Sequence, residues 1–232
     1  MRRVLRRIFA DNSNLAAGKA SDTMALGLLG DIEIGIDFMP WTRAAMRPST
    51  IVHVLNEIVI NNRKSIIEFG AGISTLYFAW AAKQTQSTFL SIEESEDWCE
   101  KIKSFLCAND LNDHCDLHFV PRQITDMDGY SSRWYAAEKV RELVGGRMFD
   151  LVVVDGPTAF RKGEENARRP AIDVLKPNLA DRCAIFLDDA LRDGERRILA
   201  AWETTLGEKA MVETVAGGHA YIGRGQRYFS GL

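Results

Sequence analysis

Three carboxylates stand where the chain leaves two apolar runs. Asp155 closes DLVVVD (150–155) ahead of Gly156-Pro157, and Asp188-Asp189 ends the CAIFLD run (183–188). If both runs are parallel strands, these acids converge on one edge of a sheet. Oxygen donors of that kind suit Mg²⁺ or Ca²⁺. A single aspartate could instead take a proton as a general base, or cap the next helix. Three acids carry more charge than one base requires, and a cation would relieve their repulsion. That tips the reading towards a metal held by Asp155, Asp188 and Asp189, with Asp155 and Asp188 as the candidate catalytic groups.

A second constellation begins at Glu68-Phe69-Gly70-Ala71-Gly72-Ile73-Ser74-Thr75. Gly70 and Gly72 permit a tight turn and close ligand approach, and Ser74 or Thr75 can cap the helix that follows. A dinucleotide fingerprint would need glycine where Thr75 stands. A carboxylate at Glu68 would also suit a cationic ligand better than a pyrophosphate. Glu93-Glu94 lies about 20 residues beyond Gly70, the spacing at which an acid reaches ribose hydroxyls in nucleotide-binding βαβ units. As start-of-helix acids they have a blander alternative.

Other clusters carry less. Asp113-His114-Cys115-Asp116-Leu117-His118 concentrates metal-ligand types, but a strand over 115–120 puts Asp116 and His118 on one face and leaves His114 outside, with no second ligand pair. His53 reads as a helix-surface or packing histidine, and His219 as a weak site candidate. Arg161, Lys162, Arg168 and Arg169 could read an anionic acceptor through guanidinium forks, or form a solvated loop balanced by Glu164 and Glu165. No GxSxG elbow or Walker A sequence anchors a hydrolase or phosphoryl-transfer reading.

The elements that must position these residues follow from periodicity. Residues 31–38 (DIEIGIDF) alternate as a strand, and a helix carries Ile51, Val54, Leu55 and Ile58. From residue 64 short β-branched runs alternate with helices. Strands at 65–69, 88–93, 115–120, 150–155 and 183–188 are expected with helices near 75–84, 96–107, 132–144 and 193–205. A hairpin of 209–215 with 219–224 closes the chain. Such alternation predicts an α/β fold, a doubly wound and mainly parallel sheet with ligands beyond its C-terminal strand ends. Residues 1–62 read as an extension and cover of the domain whose core is 63–232.

SIIEFGAGIST, LSIEESEDW, FDLVVVDGP and AIFLDDA, in that order, resemble the four motif regions of class I S-adenosylmethionine-dependent methyltransferases, over roughly residues 50–225. The resemblance implies a seven-stranded Rossmann-like sheet and an S-adenosyl-L-methionine site formed by Glu68, Gly70, Ala71, Gly72, Ser74, Thr75, Glu93, Glu94, Trp98 and Asp155. Gly70 and Gly72 would pass under the methionine moiety, Glu93 would bind ribose, Glu68 would lie near the methionine amino group, and Trp98 would border the adenine. The three strand-end acids are similar to the Mg²⁺-binding acids of catechol-type O-methyltransferases, with Asp189 where an asparagine is usual. Pro157-Thr158-Ala159 replaces the histidine common after Asp-Gly, which leaves a metal-free site open. The activity implied is methyl transfer to a hydroxyl of a small acceptor, an anionic one included. A non-catalytic S-adenosylmethionine- or nucleotide-binding module is the alternative, and a nicotinamide dehydrogenase comes third.

Over 232 residues, 46% hydrophobic and 26% charged side chains are a globular composition. A net charge of −3 gives no field to hold a nucleic-acid backbone. Cys99, Cys107, Cys115 and Cys183 form no CxxC pair, as expected of reduced thiols in a cytoplasmic protein. Arg2, Arg3, Arg6 and Arg7 alternate with Val4, Leu5, Ile8 and Phe9, which reads as a solvated arm or as a short basic amphipathic helix in weak contact with a membrane surface. The oligomeric state has no signature.

Overall fold

The computed structural model describes residues 2–35, 41–42, 44–127, 129–213, 218–225 and 228–231. A seven-stranded sheet forms the centre of the protein, in the order β3-β2-β1-β6-β7-β9-β8. The strands are β1 (Ser65–Phe69), β2 (Thr88–Glu93), β3 (Asp116–Phe119), β6 (Phe149–Val154), β7 (Leu179–Leu187), β8 (Met211–Val212) and β9 (Ala220–Arg224). β3, β2, β1, β6 and β7 run parallel, and β9 is antiparallel to both β7 and β8.

Both faces of this sheet are covered. Ile66, Leu151, Val153 and Phe186 pack on one side with α2 (Pro48–Ile60), α3 (Ile73–Thr85) and α4 (Glu96–Ala108). Ile67, Val152, Val154 and Ile185 pack on the other with α5 (Ala137–Val144), α6 (Pro170–Leu175) and α7 (Asp193–Leu206). Continuous apolar strands with side chains alternating between two dry layers are what parallel sheets require. The chain order doubles back between β1 and β6, which opens a crevice at their C-terminal ends.

Local chemistry sets the helix starts that border this crevice. Thr75 Oγ1 accepts from the Gly72 amide at 2.9 Å at the head of α3. Ser95 caps α4 by accepting from Trp98 N at 3.3 Å, with Glu96 and Asp97 in the first turn.

Three expectations need correction. The long helix α1 (Arg2–Gly30) replaces the short basic segment expected at the N-terminus. Its Ala25 and Leu29 join the core cluster of α2 and α3, and Asp22 accepts from Ser49 Oγ at 2.7 Å and pairs with Arg47. Residues 31–35 belong to no strand, and residues 36–38 of that expected strand lie outside the described residues. The helix expected near 132–144 begins only at Ala137, and the chain between β3 and α5 is an antiparallel hairpin, β4 (Arg122–Met127) and β5 (Tyr130–Tyr135). It drops Trp134 and Tyr135 into the core. Residues 214–215 and 217 of the terminal hairpin also lie outside the described residues.

Candidate functional site

The crevice between β1 and β6 is built on two glycines in contact. Gly70 has φ +93°, and a Cβ on it would meet Gly156 N at 2.6 Å. A Cβ on Gly156 would meet the Tyr135 hydroxyl at 2.4 Å and Gly70 Cα at 2.6 Å. Phe69 O accepts from Asp155 N at 2.9 Å and from Gly156 N at 2.6 Å, which ties the two turns together. Above them lies a cavity of about 820 Å³, whose walls include Gly70, Ala71, Gly72, Ser74, Glu93 and Asp155.

Glu93 cross-links the turns at one end of this cavity. Its carboxylate accepts from Ala71 N at 2.9 Å and Ser95 N at 2.8 Å, and burial raises its pKa to about 7 against those two bonds. Glu94 accepts from Thr158 N at 2.8 Å and pairs with Arg122 at 3.2 Å, so it ties the 157–169 loop to the end of β2. Trp98 lies over the turn and donates through Nε1 to Ala71 O at 2.8 Å. Glu68 and Thr75 stand behind the wall rather than in it. Glu68 is fully buried and accepts from Ser74 Oγ, Thr75 Oγ1 and Ser91 Oγ, each at 2.7 Å. Burial nevertheless pushes it up to about 7.

The three strand-end acids do converge: one carboxylate oxygen from each of Asp155, Asp188 and Asp189 lies within 4.8 Å of the others. Asp155 and Asp189 border the main cavity. Asp188 borders an adjoining one of about 680 Å³, lined also by Asp22, Leu26, Trp41 and Met46. Burial raises Asp155 to about 6 despite Arg168, and burial with the charges of Asp155 and Asp189 raises Asp188 well above the carboxylate range. Asp189 adopts the left-handed conformation, φ +58°, and pairs with Arg192 at 2.7 Å.

Solved structures show the same architecture. A proposed caffeoyl-CoA O-methyltransferase from Staphylococcus aureus superposes with a TM-score of 0.60 at 16% identity, covering 81% of this chain and 86% of its own. The Bacillus cereus O-methyltransferase in complex with S-adenosylhomocysteine gives 0.57 at 14%, over 88% and 90%. TomG from Streptomyces achromogenes, an O-methyltransferase of tomaymycin synthesis in complex with S-adenosylmethionine, gives 0.60 at 11%, over 89% and 98%. This chain has the class I methyltransferase fold. No family model matches the sequence, and no curated protein matches it.

On that methyltransferase fold, most of the residues singled out by sequence meet at one cleft, with Glu68 and Thr75 as supports beneath it. Others stand apart. His53 and His219 form a buried pair, Nδ1 to Nε2 at 2.7 Å, between α2 and β9, and neither lines the cavity. His118 and Asp116 pair with each other at 2.6 Å on the surface. Of the four loop cations, Arg168 is buried among the acids and Arg169 lies 3.7 Å over the Tyr130 ring. Only Arg161 and Lys162 remain exposed. Sequence reasoning missed Tyr135, whose buried hydroxyl has no hydrogen-bond partner among the described residues, and the Thr42, Ala44–Met46 wall. Neither carries a motif.

Proposed function

We propose that this protein transfers a methyl group from S-adenosylmethionine to a hydroxyl of a small acceptor, with an anionic group on that acceptor as a further expectation. One observation carries the reading: a single cleft joins a glycine-rich turn with a ribose-spaced glutamate to carboxylates at the ends of β6 and β7. The residues fit the cofactor. Gly72 faces the cavity, and among the described residues a Cβ added to it would meet nothing nearer than Ser74 Oγ at 3.9 Å, so those residues leave that space open. The Tyr135 hydroxyl, without a hydrogen-bond partner among the described residues, is free to bond a ligand. The O-methyltransferases from B. cereus and S. achromogenes, in complex with S-adenosylhomocysteine and S-adenosylmethionine, support the same assignment.

S-adenosylmethionine supplies an activated sulfonium methyl, which leaves alignment and proton removal to the protein. Glu93 would accept from the ribose hydroxyls, Trp98 would border the base, and the Gly70–Gly72 turn would let the ligand approach the backbone. Asp155, with its pKa near neutrality, is the general base for the acceptor hydroxyl. Asp188, whose carboxyl is raised well above its ordinary value by burial and by the charges of Asp155 and Asp189, hydrogen-bonds Asp155. This narrows the catalytic role to Asp155, with Asp188 as its support. Arg161 and Lys162 follow the cavity residue Phe160 in sequence and are exposed, which supports an anionic acceptor.

Calorimetry with S-adenosylhomocysteine, followed by a panel of hydroxylated small acids with isotope-labelled S-adenosylmethionine, tests the proposal. Binding and label transfer are expected. Binding without transfer to any acceptor would favour the non-catalytic module, and absence of binding would remove the cofactor assignment.

A further inference from the structure

Arg168 is 4% exposed, and its guanidinium stands inside the acidic edge rather than in the solvent where its loop neighbours Arg161 and Lys162 lie. Nη2 reaches Asp155 Oδ1 at 3.2 Å, and Nη1 reaches Asp189 Oδ2 at 3.2 Å. Two backbone carbonyls complete the shell, Asp188 O on Nη1 at 3.1 Å and Pro157 O on Nε at 3.3 Å, with Glu195 Oε1 beyond at 3.8 Å. A guanidinium spreads its donors over a planar fork and stays charged, which suits it to a buried position between carboxylates.

The backbone on either side holds this side chain in place. Asn166 O accepts from Ser132 Oγ at 3.0 Å, and Arg169 O accepts from Trp202 Nε1 at 2.9 Å. Ala167 and Pro170 are buried. Withdrawing the guanidinium would strand two carbonyls and leave the carboxylates facing one another without a counter-charge, a costly arrangement in a dry site. A divalent ion placed among the same oxygens would adjoin a fixed positive charge, and Asp189 is already shared with Arg192 at 2.7 Å. The donor set does not fit a metal.

We infer that Arg168 is the resident cation of this edge, occupying the role that a divalent ion plays in metal-dependent O-methyltransferases, so that the cleft takes no metal. Arg168 is then a positioning residue, which fixes Asp155 and Asp189 at the mouth of the cleft. The inference deepens the methyltransferase reading but is tested without turnover. Electron paramagnetic resonance titration with Mn²⁺ is the probe, on the wild-type protein, on Arg168→Gln and on Arg168→Gln combined with Asp189→Asn. The wild type should show no saturable Mn²⁺ site tighter than about 1 mM. Arg168→Gln should bind Mn²⁺ at least about tenfold more tightly, and the added Asp189→Asn should reverse that gain. Stoichiometric wild-type binding that Asp188→Asn abolishes would overturn the inference, as would a folded Arg168→Gln with no gain. If Arg168→Gln fails to fold, the wild-type titration decides alone. S-adenosylhomocysteine binding, measured on the same wild-type sample, reports separately on the methyltransferase reading.

Discussion

Gly70 and Gly72 stand two residues apart and answer to different demands. Gly70 is required by the protein, because its positive φ and the 2.6 Å at which a Cβ on it would meet Gly156 N exclude a side chain whatever is bound. Gly70→Ala should therefore cost about 1–3 kcal/mol in strain and clash, read as a loss of several degrees in Tm. Gly72 is extended and unobstructed, so Gly72→Ala should leave Tm unchanged and weaken S-adenosylhomocysteine binding by about tenfold. A folded Gly72→Ala that binds like the wild type would show that the ligand does not approach there. Glu93 adds a pH signature. Its pKa in the free protein is about 7, and ribose donors favour the ionised carboxylate. Affinity should thus rise from pH 6 to pH 8, by up to about tenfold, with protons released on binding. Glu93→Gln should flatten that profile and weaken binding at pH 8 by about 1–3 kcal/mol. Calorimetry in buffers of different ionisation enthalpy measures both effects, and an unaltered slope in the variant would remove Glu93 from the ribose contact. These residues stood out in the sequence by type and spacing. The place of Arg168 did not, because an arginine in a loop of like charges reads as a fork for an anionic acceptor or as a solvated group until folding brings three carboxylates around it.

Among the elements, the four inner parallel strands β1, β2, β6 and β7 were readable because each is an apolar run long enough to be buried on both faces. The β4–β5 hairpin was not, since Arg122–Met127 and Tyr130–Tyr135 bury only a few of their side chains and are otherwise polar. The available signal was Asp128-Gly129 between two runs of strand-forming residues, and Gly129 does take φ +81°. This hairpin braces the cleft. Arg122 donates to Arg133 O at 3.0 Å across it and pairs with Glu94 at 3.2 Å and Glu164 at 3.3 Å. It thereby joins the end of β2 to the 157–169 loop. Replacing it removes a largely buried cation between two acids, and the exposed Arg161-Lys162 pair then reports the consequence. Arg122→Met should increase tryptic cleavage after Arg161 or Lys162 several-fold under native conditions, because proteolysis follows the population of the locally opened loop. Mass spectrometry of the early fragments checks this. Cleavage at the wild-type rate would mean that Glu94 and the backbone hold the loop without Arg122.

For the whole molecule, stability against pH includes opposed contributions from buried carboxyls and buried imidazoles on the face of the sheet that α2 and α3 cover. Glu68 and Glu93 have folded pKa values raised from 4.5 to about 7 by burial, so the stability they contribute is fully present below about 4.5 and is lost as pH rises through about 7. His53 and His219 act in the other direction. Burial lowers His53 to about 4 against the attraction of Glu57, and burial together with His53 lowers His219 to about 3. They hydrogen-bond each other, Thr50 Oγ1 lies 3.2 Å from His219 Nδ1, and aromatic rings of Phe186 and Tyr221 surround His53. A histidine with a depressed folded pKa contributes stability that is complete above about 6.5 and is lost as pH falls through the folded value, because the unfolded chain binds the proton first. At pH 5 the pair should have given up about 2–4 kcal/mol relative to pH 7.5. Replacing both imidazoles, His53→Leu with His219→Leu, leaves the carboxylates unchanged, so their contribution cancels in the comparison. The wild type should lose roughly 5–10 °C more in Tm than the double variant between pH 7.5 and pH 5. Calorimetric scans at the two pH values measure this difference, and equal losses in both proteins would mean that the pair is protonated in the folded state and that the α2–β9 interface tolerates the charge.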